Sequence, residues 1–242
     1  LRVCISMYGI YSRMLNSRLT KVVEDHELLG EIQAGFRKTR SASDNLFVLN
    51  TILSKAKEMG QQVHKCFIDI AKAYDTLNRP VLWDKMRKIG FSSSFISNIK
   101  ALYSDDCITS TINGRTTKPV YLSRGVKQGC SLSPMLFALY LVDLGYELSN
   151  CDEGFELQGV KICSLFFADD IVLFSPTAKG LKALIKIVHK HCDLMKMSIS
   201  GQTDANSFCR KFCFTIHLPA VVSCVSASSL SCCLKVALTF CS

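Results

Sequence analysis

Apolar residues are arranged along the chain in two kinds of block, one with a helical period and one resembling strands. Apolar side chains recur every three to four positions over 11–24, over 44–60 and most clearly over 178–197. This spacing predicts amphipathic helices. Short runs rich in Val, Ile and Phe at 63–70 and 163–175 predict buried strands.

Proline, glycine and Asn-Gly sequences place the remaining elements. Pro80 predicts a helix over 80–89 that stops at a glycine, and a further helix is expected over 92–103. The turn sequence at 113–116 predicts a hairpin over 107–122, and Ser-Pro predicts the start of a helix over 133–148. Strands and helices alternate irregularly, with antiparallel hairpins, which favours an α+β fold.

Two adjacent acids, Asp169 and Asp170, interrupt the apolar run at 163–175 and fall at the tip of the hairpin predicted there. Neighbouring carboxylates repel one another, and burial increases the free-energy cost of their charges. We therefore expect a positive group beside them. A hard divalent cation bound through oxygen atoms fits this requirement.

A third carboxylate, Asp69, stands at the end of the strand predicted at 63–70. If that strand lies beside the acid hairpin, Asp69 can face Asp169. Three such carboxylates would hold two Mg²⁺ ions roughly 4 Å apart, an arrangement suited to in-line phosphoryl transfer. Two simpler interpretations remain: a solvated Asp-Asp turn, and an Asp69 that caps the helix after it.

The amino-acid composition favours a polyanionic binding partner. The 242 residues include 29 basic and 20 acidic side chains, for a net charge of +9, which favours nucleic acid over membrane as the partner. Cysteines before residue 200 are scattered singly, as is typical of free thiols in a reducing, intracellular compartment. We find no signal-peptide pattern, and a start at Leu1 rather than Met suggests a fragment.

A glycine-containing loop at 124–134 leads into the helix predicted to begin at Ser133. Its small residues would let a flat ring or a template strand approach the backbone closely, and amide groups at a helix start favour phosphate. Alone, this pattern fits any loop that opens a helix.

Taken together, four segments resemble a reverse transcriptase of LINE-type, non-long-terminal-repeat retrotransposons. They are Phe-Ala-Asp-Asp at 167–170, Asp-Ile-Ala-Lys-Ala-Tyr-Asp at 69–75, Gly-Val-Lys-Gln-Gly-Cys-Ser-Leu-Ser-Pro at 125–134, and the Gln-Ala-Gly-Phe-Arg segment at 33–41. The resemblance extends over roughly residues 8–200. Four motifs in the same order make coincidence very improbable.

This resemblance implies a polymerase palm, an antiparallel sheet with helices on one face, together with partial fingers. It assigns 1–62 to the fingers and 63–200 to the palm. The Cys- and Ser-rich tail, 201–242, supplies no thumb, and we expect it to be disordered or poorly packed in a truncated or decayed element copy. Zinc binding by tail cysteines and a membrane segment at 218–234 are disfavoured by ligand spacing and by the serine content.

Motif matching to the family assigns the acids and one aromatic ring. Asp69 and Asp169 would hold the two Mg²⁺ ions, and Asp170 would support them less directly. Tyr74 matches the ring that stacks under the incoming sugar and excludes a 2′-hydroxyl. Without the family, core packing explains Tyr74 equally well.

The same matching gives nucleotide contacts to two other segments. Gln128 and Gly129 would contact the nascent base pair. Arg37, Lys38 and Arg40 lie where the fingers neutralise the triphosphate, although a solvated basic loop is the simpler alternative. The resemblance does not say which of these three cations would do so.

The function implied is RNA-directed DNA polymerisation, in which a primer 3′-hydroxyl attacks the α-phosphate of a deoxynucleotide. The partners would be an RNA template, a DNA primer and deoxynucleoside triphosphates, with no membrane. One alternative is a catalytically inactive remnant that binds nucleic acid. Another is a metal-dependent nuclease, which Tyr74 and the Gln128 loop disfavour because a nuclease needs no sugar gate.

Overall fold

The structure is a computed structural model that describes residues 2–200 and 213–216. The helices are α1 (Arg2–Asp25), α2 (Ala42–Glu58), α3 (Ala73–Thr76), α4 (Arg79–Ile89), α5 (Ser93–Ala101), α6 (Ser133–Tyr140), α7 (Val142–Ser149) and α8 (Ala178–Met195). The strands are β1 (Val63–Ala71), β2 (Cys107–Ile108), β3 (Thr111–Ile112), β4 (Arg115–Thr116), β5 (Val120–Tyr121), β6 (Phe155–Leu157), β7 (Val160–Ile162), β8 (Ser164–Phe167), β9 (Asp170–Ser175), β10 (Ser198–Ile199) and β11 (Cys213–Ile216).

Predictions about the tail fall mostly outside the described residues. Only β11 of that tail is described, and it pairs antiparallel with β1. The predicted disorder or poor packing of 201–242 and the zinc alternative concern residues whose structure is not described, as does the membrane alternative at 218–234. Among the helices that are described, none combines the length and the apolar character needed to cross a membrane.

The chain folds into two compact units, each built from separate stretches of sequence. The first contains the chain up to His26 together with Lys72–Tyr140. The second contains Glu27–Ala71 and the described residues from Leu141 onward. The assignment of 1–62 to fingers and 63–200 to palm stays a prediction, since the two units follow contacts rather than those segments.

An antiparallel sheet forms the second unit, with the strand order β10-β1-β9-β8. Strand β9 lies between β1 and β8, and its residues 171–175 are all buried. Consecutive buried residues in a strand mean that both faces of the sheet are covered there. The predicted α+β class with an antiparallel sheet is confirmed.

Helices α2 and α8 cover the sheet of the second unit. Helix α2 contributes to one apolar cluster with the sheet and the β6 strand, made of Leu49, Ile52, Ala56, Val63, Phe155, Leu165, Val172 and Phe174. Helix α8 contacts β1 and β9, and the alternate residues Ile171 and Leu173 are buried as well. Because side chains alternate along a strand, α8 lies on the face opposite α2. The expectation of helices on one face only was wrong, since both faces of these strands are apolar and each is covered by a helix. The helical stripe predicted for 178–197 is thus the buried face of α8.

Helix α6 is the most buried helix of the first unit, and it packs against α1, α3 and α4. Helix α4 ends at Gly90, whose φ of 107° is easily adopted only by glycine. The helix predicted over 133–148 is interrupted at Leu141, which has φ −89° and ψ −2°. Hydrophobic spacing did not reveal the interruption, because apolar residues continue through it.

The hairpin over 107–122 turns more tightly than the sequence pattern predicted. Ile112 pairs with Arg115, so the loop is only Asn113 and Gly114, with φ of 50° and 77°. Two successive positive φ angles are typical of a type I′ turn. Arg115 and Thr116, which were expected in the turn, form strand β4.

A buried arginine joins the start of α4 to the loop that carries Gln128 within the first unit. Arg79 donates from Nε to the Gly125 carbonyl and from a terminal nitrogen to the Leu122 carbonyl, both at 2.7 Å. It also forms an ion pair with Asp106, and the two side chains are only 8% and 11% exposed. This network holds the loop at a fixed distance from α4.

Replacement of the buried arginine, Arg79→Met, should lower the free energy of unfolding by about 3 kcal/mol, because Asp106 then loses its closest partner inside the protein. Urea unfolding followed by circular dichroism measures the change. The matched control is Arg87→Met, which removes an exposed pair with Asp84 and should cost less than about 1 kcal/mol. Equal effects of the two substitutions would contradict a structural role for the buried pair.

Candidate active site

The acid hairpin predicted from sequence is present in the second unit. Phe167 at the end of β8 pairs with Asp170 at the start of β9, so Ala168 and Asp169 form a two-residue turn. Ala168 has a φ of 62°, whereas Asp169 has no positive φ, the pattern of a type II′ turn. The two adjacent acids therefore differ in setting, because Asp169 lies in the turn and Asp170 lies in the strand.

Strand register brings the third acid to the same place. Asp69 on β1 is the antiparallel partner of Asp170 on β9. The Cβ atoms of directly opposite residues lie about 4.5–5.5 Å apart and point to the same face of the sheet. Sequence reasoning expected Asp69 to face Asp169, and the structure instead pairs it with Asp170, one residue further along.

Electrostatics couple Asp69 to Asp169 as well. Partial burial raises the pKa of the Asp169 carboxyl above its usual value, and the negative charge of Asp69 raises it further. A hydrogen bond from the backbone amide of Asp169 acts in the opposite direction and lowers this pKa. The protein alone thus makes ionisation of Asp169 less favourable than it is in water, and a bound cation would offset that effect.

The carboxylates match a hard divalent cation in donor chemistry but do not make a complete cage. Within residues 2–200 and 213–216, no group of three or more His, Cys, Asp or Glu side chains is arranged to hold a metal ion. Mg²⁺ is commonly bound through one or two carboxylates, with water and substrate phosphates as its other ligands. The acids therefore fit a magnesium site that substrate completes.

Gln33, to which the sequence analysis gave no role, holds the turn formed by Ala168 and Asp169. Gln33 is buried, accepts a hydrogen bond from the Ala168 amide at 3.1 Å and donates one to the Ala168 carbonyl at 3.3 Å. Gly35 lies so close that a Cβ there would overlap the backbone of Ala168. No local pattern could have shown this, because Gln33 and Ala168 are 135 residues apart.

The three candidate triphosphate contacts are in the same unit as the acids. Arg37 donates to the Gly30 carbonyl at 2.7 Å, and Arg40 forms an ion pair with Glu31. Lys38 is exposed and, within the described part of the chain, forms no ion pair. It follows Gly35 by three residues, so its Cα lies within about 11 Å of the Gly35 Cα.

Tyr74, Gln128 and Gly129 belong to the first unit. The Tyr74 ring is stacked on Phe137 with 5.4 Å between centroids, and the Tyr74 carbonyl accepts a hydrogen bond from Val126 at 2.7 Å. Gln128 donates from Nε2 to Asp75 at 3.3 Å, and both Gln128 and Gly129 are exposed. The structure thus joins the Tyr74 segment to the Gln128 loop.

The predicted residues therefore divide into two sets. The acids and the basic segment share the second unit, and Tyr74 shares the first unit with the Gln128 loop. Strand pairing and backbone hydrogen bonds connect the segments within each set.

The profile of the family described as "Reverse transcriptase (RNA-dependent DNA polymerase)" matches residues 1–202. The Pol polyprotein of the retrotransposable element R2DM of Drosophila melanogaster is 28% identical over 181 residues, which cover 75% of this chain and 17% of that protein. The R2 Pol polyprotein of Popillia japonica is 33% identical over 130 residues, 53% of this chain and 22% of that protein. The chain thus corresponds to about a fifth of these relatives.

A solved structure shares the fold. A telomerase from Candida albicans, in complex with a TWJ fragment of telomeric RNA, superposes with a TM-score of 0.59 at 16% identity. The match covers 86% of this chain and 35% of the telomerase chain. The chain therefore belongs to the reverse transcriptase family of RNA-dependent DNA polymerases, and its relatives are the enzymes of non-long-terminal-repeat retrotransposons.

Proposed function

We propose that this domain catalyses RNA-directed DNA synthesis, in which a DNA primer is extended on an RNA template from deoxynucleoside triphosphates. The observation that carries the proposal is the pairing of Asp69 with Asp170 beside the Asp169 turn. Family membership supports the reaction type, and no feature of the described residues favours the nuclease alternative.

Divalent-metal-dependent catalysis is general to reverse transcriptases. We propose that Asp69 and Asp169 bind two Mg²⁺ ions and that Asp170 supports them from the adjacent strand position. Bound Mg²⁺ would activate the primer 3′-hydroxyl and neutralise the leaving pyrophosphate. The raised pKa of Asp169 supports this assignment, because a cation would offset both the burial of this carboxylate and the nearby charge of Asp69.

Nucleotide positioning is proposed for residues of both units. Tyr74 would stack under the sugar and exclude a 2′-hydroxyl, and its contact with Phe137 restricts the ring. Gln128 and Gly129 would contact the nascent base pair. Among the basic residues, Lys38 is the best candidate for the triphosphate, because Arg37 and Arg40 already bind groups of their own unit.

The net charge of +9 supports binding of the template–primer duplex. Lysine and arginine side chains that neutralise phosphates release counterions, so affinity should fall steeply as salt rises. Such binding carries little sequence information, and it would accompany any primed template.

Purified chain should extend a DNA primer annealed to an RNA template when dNTPs and Mg²⁺ are supplied, and Asp169→Ala should lose extension. Denaturing gels of labelled primer measure the product. Asp193→Ala, which removes an exposed acid of the same unit, serves as the matched control and should extend normally.

The same assay separates the alternatives. Salt-sensitive RNA binding without extension would show an inactive binding remnant. Cleavage of the RNA in the absence of nucleotides would show a nuclease. Extension by the Asp169→Ala variant at the level of the unaltered chain would remove the acid turn from the mechanism.

The substitution Asp169→Asn should raise the thermal midpoint in metal-free buffer at pH 7. An acid whose pKa is raised on folding costs stability once it ionises, so the gain appears above the folded pKa and disappears below the usual carboxyl pKa near 4. Scanning calorimetry at several pH values, with and without Mg²⁺, measures both effects.

Mg²⁺ should stabilise the unaltered chain but not Asp169→Asn, because ligand binding to the folded state raises its apparent stability. Asp193→Asn makes the same chemical change at an exposed site. Its thermal midpoint should equal that of the unaltered chain both with and without Mg²⁺. A lower midpoint for Asp169→Asn without metal would contradict the proposed repulsion.

Replacement of the sugar gate, Tyr74→Ala, should raise incorporation of ribonucleotides relative to deoxynucleotides by ~10–100-fold, since a pocket discriminates one small group by that factor. Single-nucleotide extension with rNTP and dNTP measures the ratio. Tyr146→Ala removes an exposed tyrosine and should leave the ratio as it is. An unchanged ratio in Tyr74→Ala would assign that ring to packing against Phe137 alone.

A further inference from the structure

We infer that Gln33 is a positioning residue for the proposed catalytic turn, because its side-chain amide binds both backbone polar groups of Ala168 and so fixes the peptide that leads into Asp169. The inference rests on the proposed function for its catalytic consequence. The contacts themselves are a property of the fold.

The Gln33 amide uses three of its four hydrogen-bonding positions at this turn. Its Oε1 accepts from the Ala168 amide at 3.1 Å and from the Gly35 amide at 2.8 Å, and its Nε2 donates to the Ala168 carbonyl at 3.3 Å. Gln33 itself is 4% exposed. A buried amide with this many partners has little freedom to rotate.

The turn requires such a partner. Ala168 is 7% exposed and takes a φ of 62°, a conformation that non-glycine residues adopt at a cost in free energy. The last ladder pair of the hairpin is Phe167 with Asp170, so the polar groups of Ala168 lie beyond the regular β8–β9 pairing. Buried backbone groups need hydrogen-bond partners, and Gln33 supplies them.

Gln33 is held in place by the strand beside it. The Ala34 amide donates to the Phe166 carbonyl at 3.0 Å, and the Phe166 amide donates to the Ile32 carbonyl at 2.8 Å. Gly35 then passes so close to Ala168 that only glycine fits. Asn45 on α2 donates to the same Phe166 carbonyl at 3.0 Å.

This geometry links Gln33 to the acid through one peptide group. The Ala168 carbonyl that Gln33 binds belongs to the peptide bond joining Ala168 to Asp169. Rotation of that peptide would reorient Asp169 relative to Asp170, which is fixed by its pairing with Phe167. Partners that orient a metal-binding residue typically change metal affinity or activity by about 10–100-fold when they are removed.

The test uses the whole 242-residue chain with three substitutions. Gln33→Met keeps the length of the side chain and removes its hydrogen bonds. Gln33→Asn keeps the amide and shortens its reach by one methylene, and it replaces the Met variant if that variant does not fold. Gln61→Met, at an exposed position of the same unit, is the matched control.

Two measurements are independent of catalysis. Hydrogen exchange of the 166–170 turn should become at least about tenfold faster in the Gln33 variants and stay the same in Gln61→Met, because a buried amide loses its acceptor. Binding of Mn²⁺ alone, followed by electron paramagnetic resonance, should weaken by about 10–100-fold in the Gln33 variants.

A third measurement examines the reaction itself, at a temperature where every variant is folded. In primer extension, the Gln33 variants should lower kcat and raise the Mg²⁺ concentration for half-maximal rate, while KM for dNTP stays within about twofold. A residue that only supports folding would lower the thermal midpoint without moving the Mg²⁺ requirement.

The outcomes separate the inference from the proposed function. Faster turn exchange with weaker Mn²⁺ binding supports the role of Gln33, even if the unaltered chain does not polymerise. Turn exchange equal to that of the unaltered chain in every Gln33 variant that folds overturns it. Faster exchange with unchanged Mn²⁺ binding and an unchanged Mg²⁺ requirement also overturns it, because Gln33 would then order the turn without positioning Asp169.

Discussion

The antiparallel register between β1 and β9 is the constraint on which the site depends. It places Asp69 opposite Asp170 and brings the Asp169 turn to the end of the same strand pair. A shift of one residue in this pairing would move every side chain of β1 to the other face of the sheet. The apolar cluster with α2 on one face and α8 on the other makes such a shift costly, because both faces are buried.

Repulsion between the acids shows how the fold and the chemistry are related. Packing and register hold Asp169 partly buried and near Asp69, and burial first and the charge of Asp69 second raise the pKa of the Asp169 carboxyl. Burial of the apolar strand residues around the acids is favourable and offsets this cost. An electrostatic cost at one point of an otherwise consistent structure is typical of a functional site.

Local sequence patterns predicted most elements, because hydrophobic period, prolines and glycines act over a few residues. The strand at 63–70, the acid hairpin and helix α8 are examples. The interruption at Leu141 was missed, since its neighbours are apolar on both sides. The partner of Asp69 was predicted one residue away from the observed one, because register depends on packing between distant segments.

The role of Gln33 could not be predicted for the same reason. A glutamine in a loop gives no local sign that it will be buried, and its contacts with Ala168 depend on the whole second unit. Motif matching identified the segment around Gln33 but no function for the residue. Sequence thus located the acids through their unusual chemistry, whereas the groups that orient them became visible only in three dimensions.

The most direct test of the convergence of the acids is a Mn²⁺ titration followed by the nuclear magnetic resonance signals of backbone amides. If the strands bring the acids together, the amides of Asp69, Asp169 and Asp170 should broaden together, with one shared half-saturation point. Broadening at Asp169 and Asp170 with an unaffected Asp69 would contradict the account, because β1 would then lie away from the metal site.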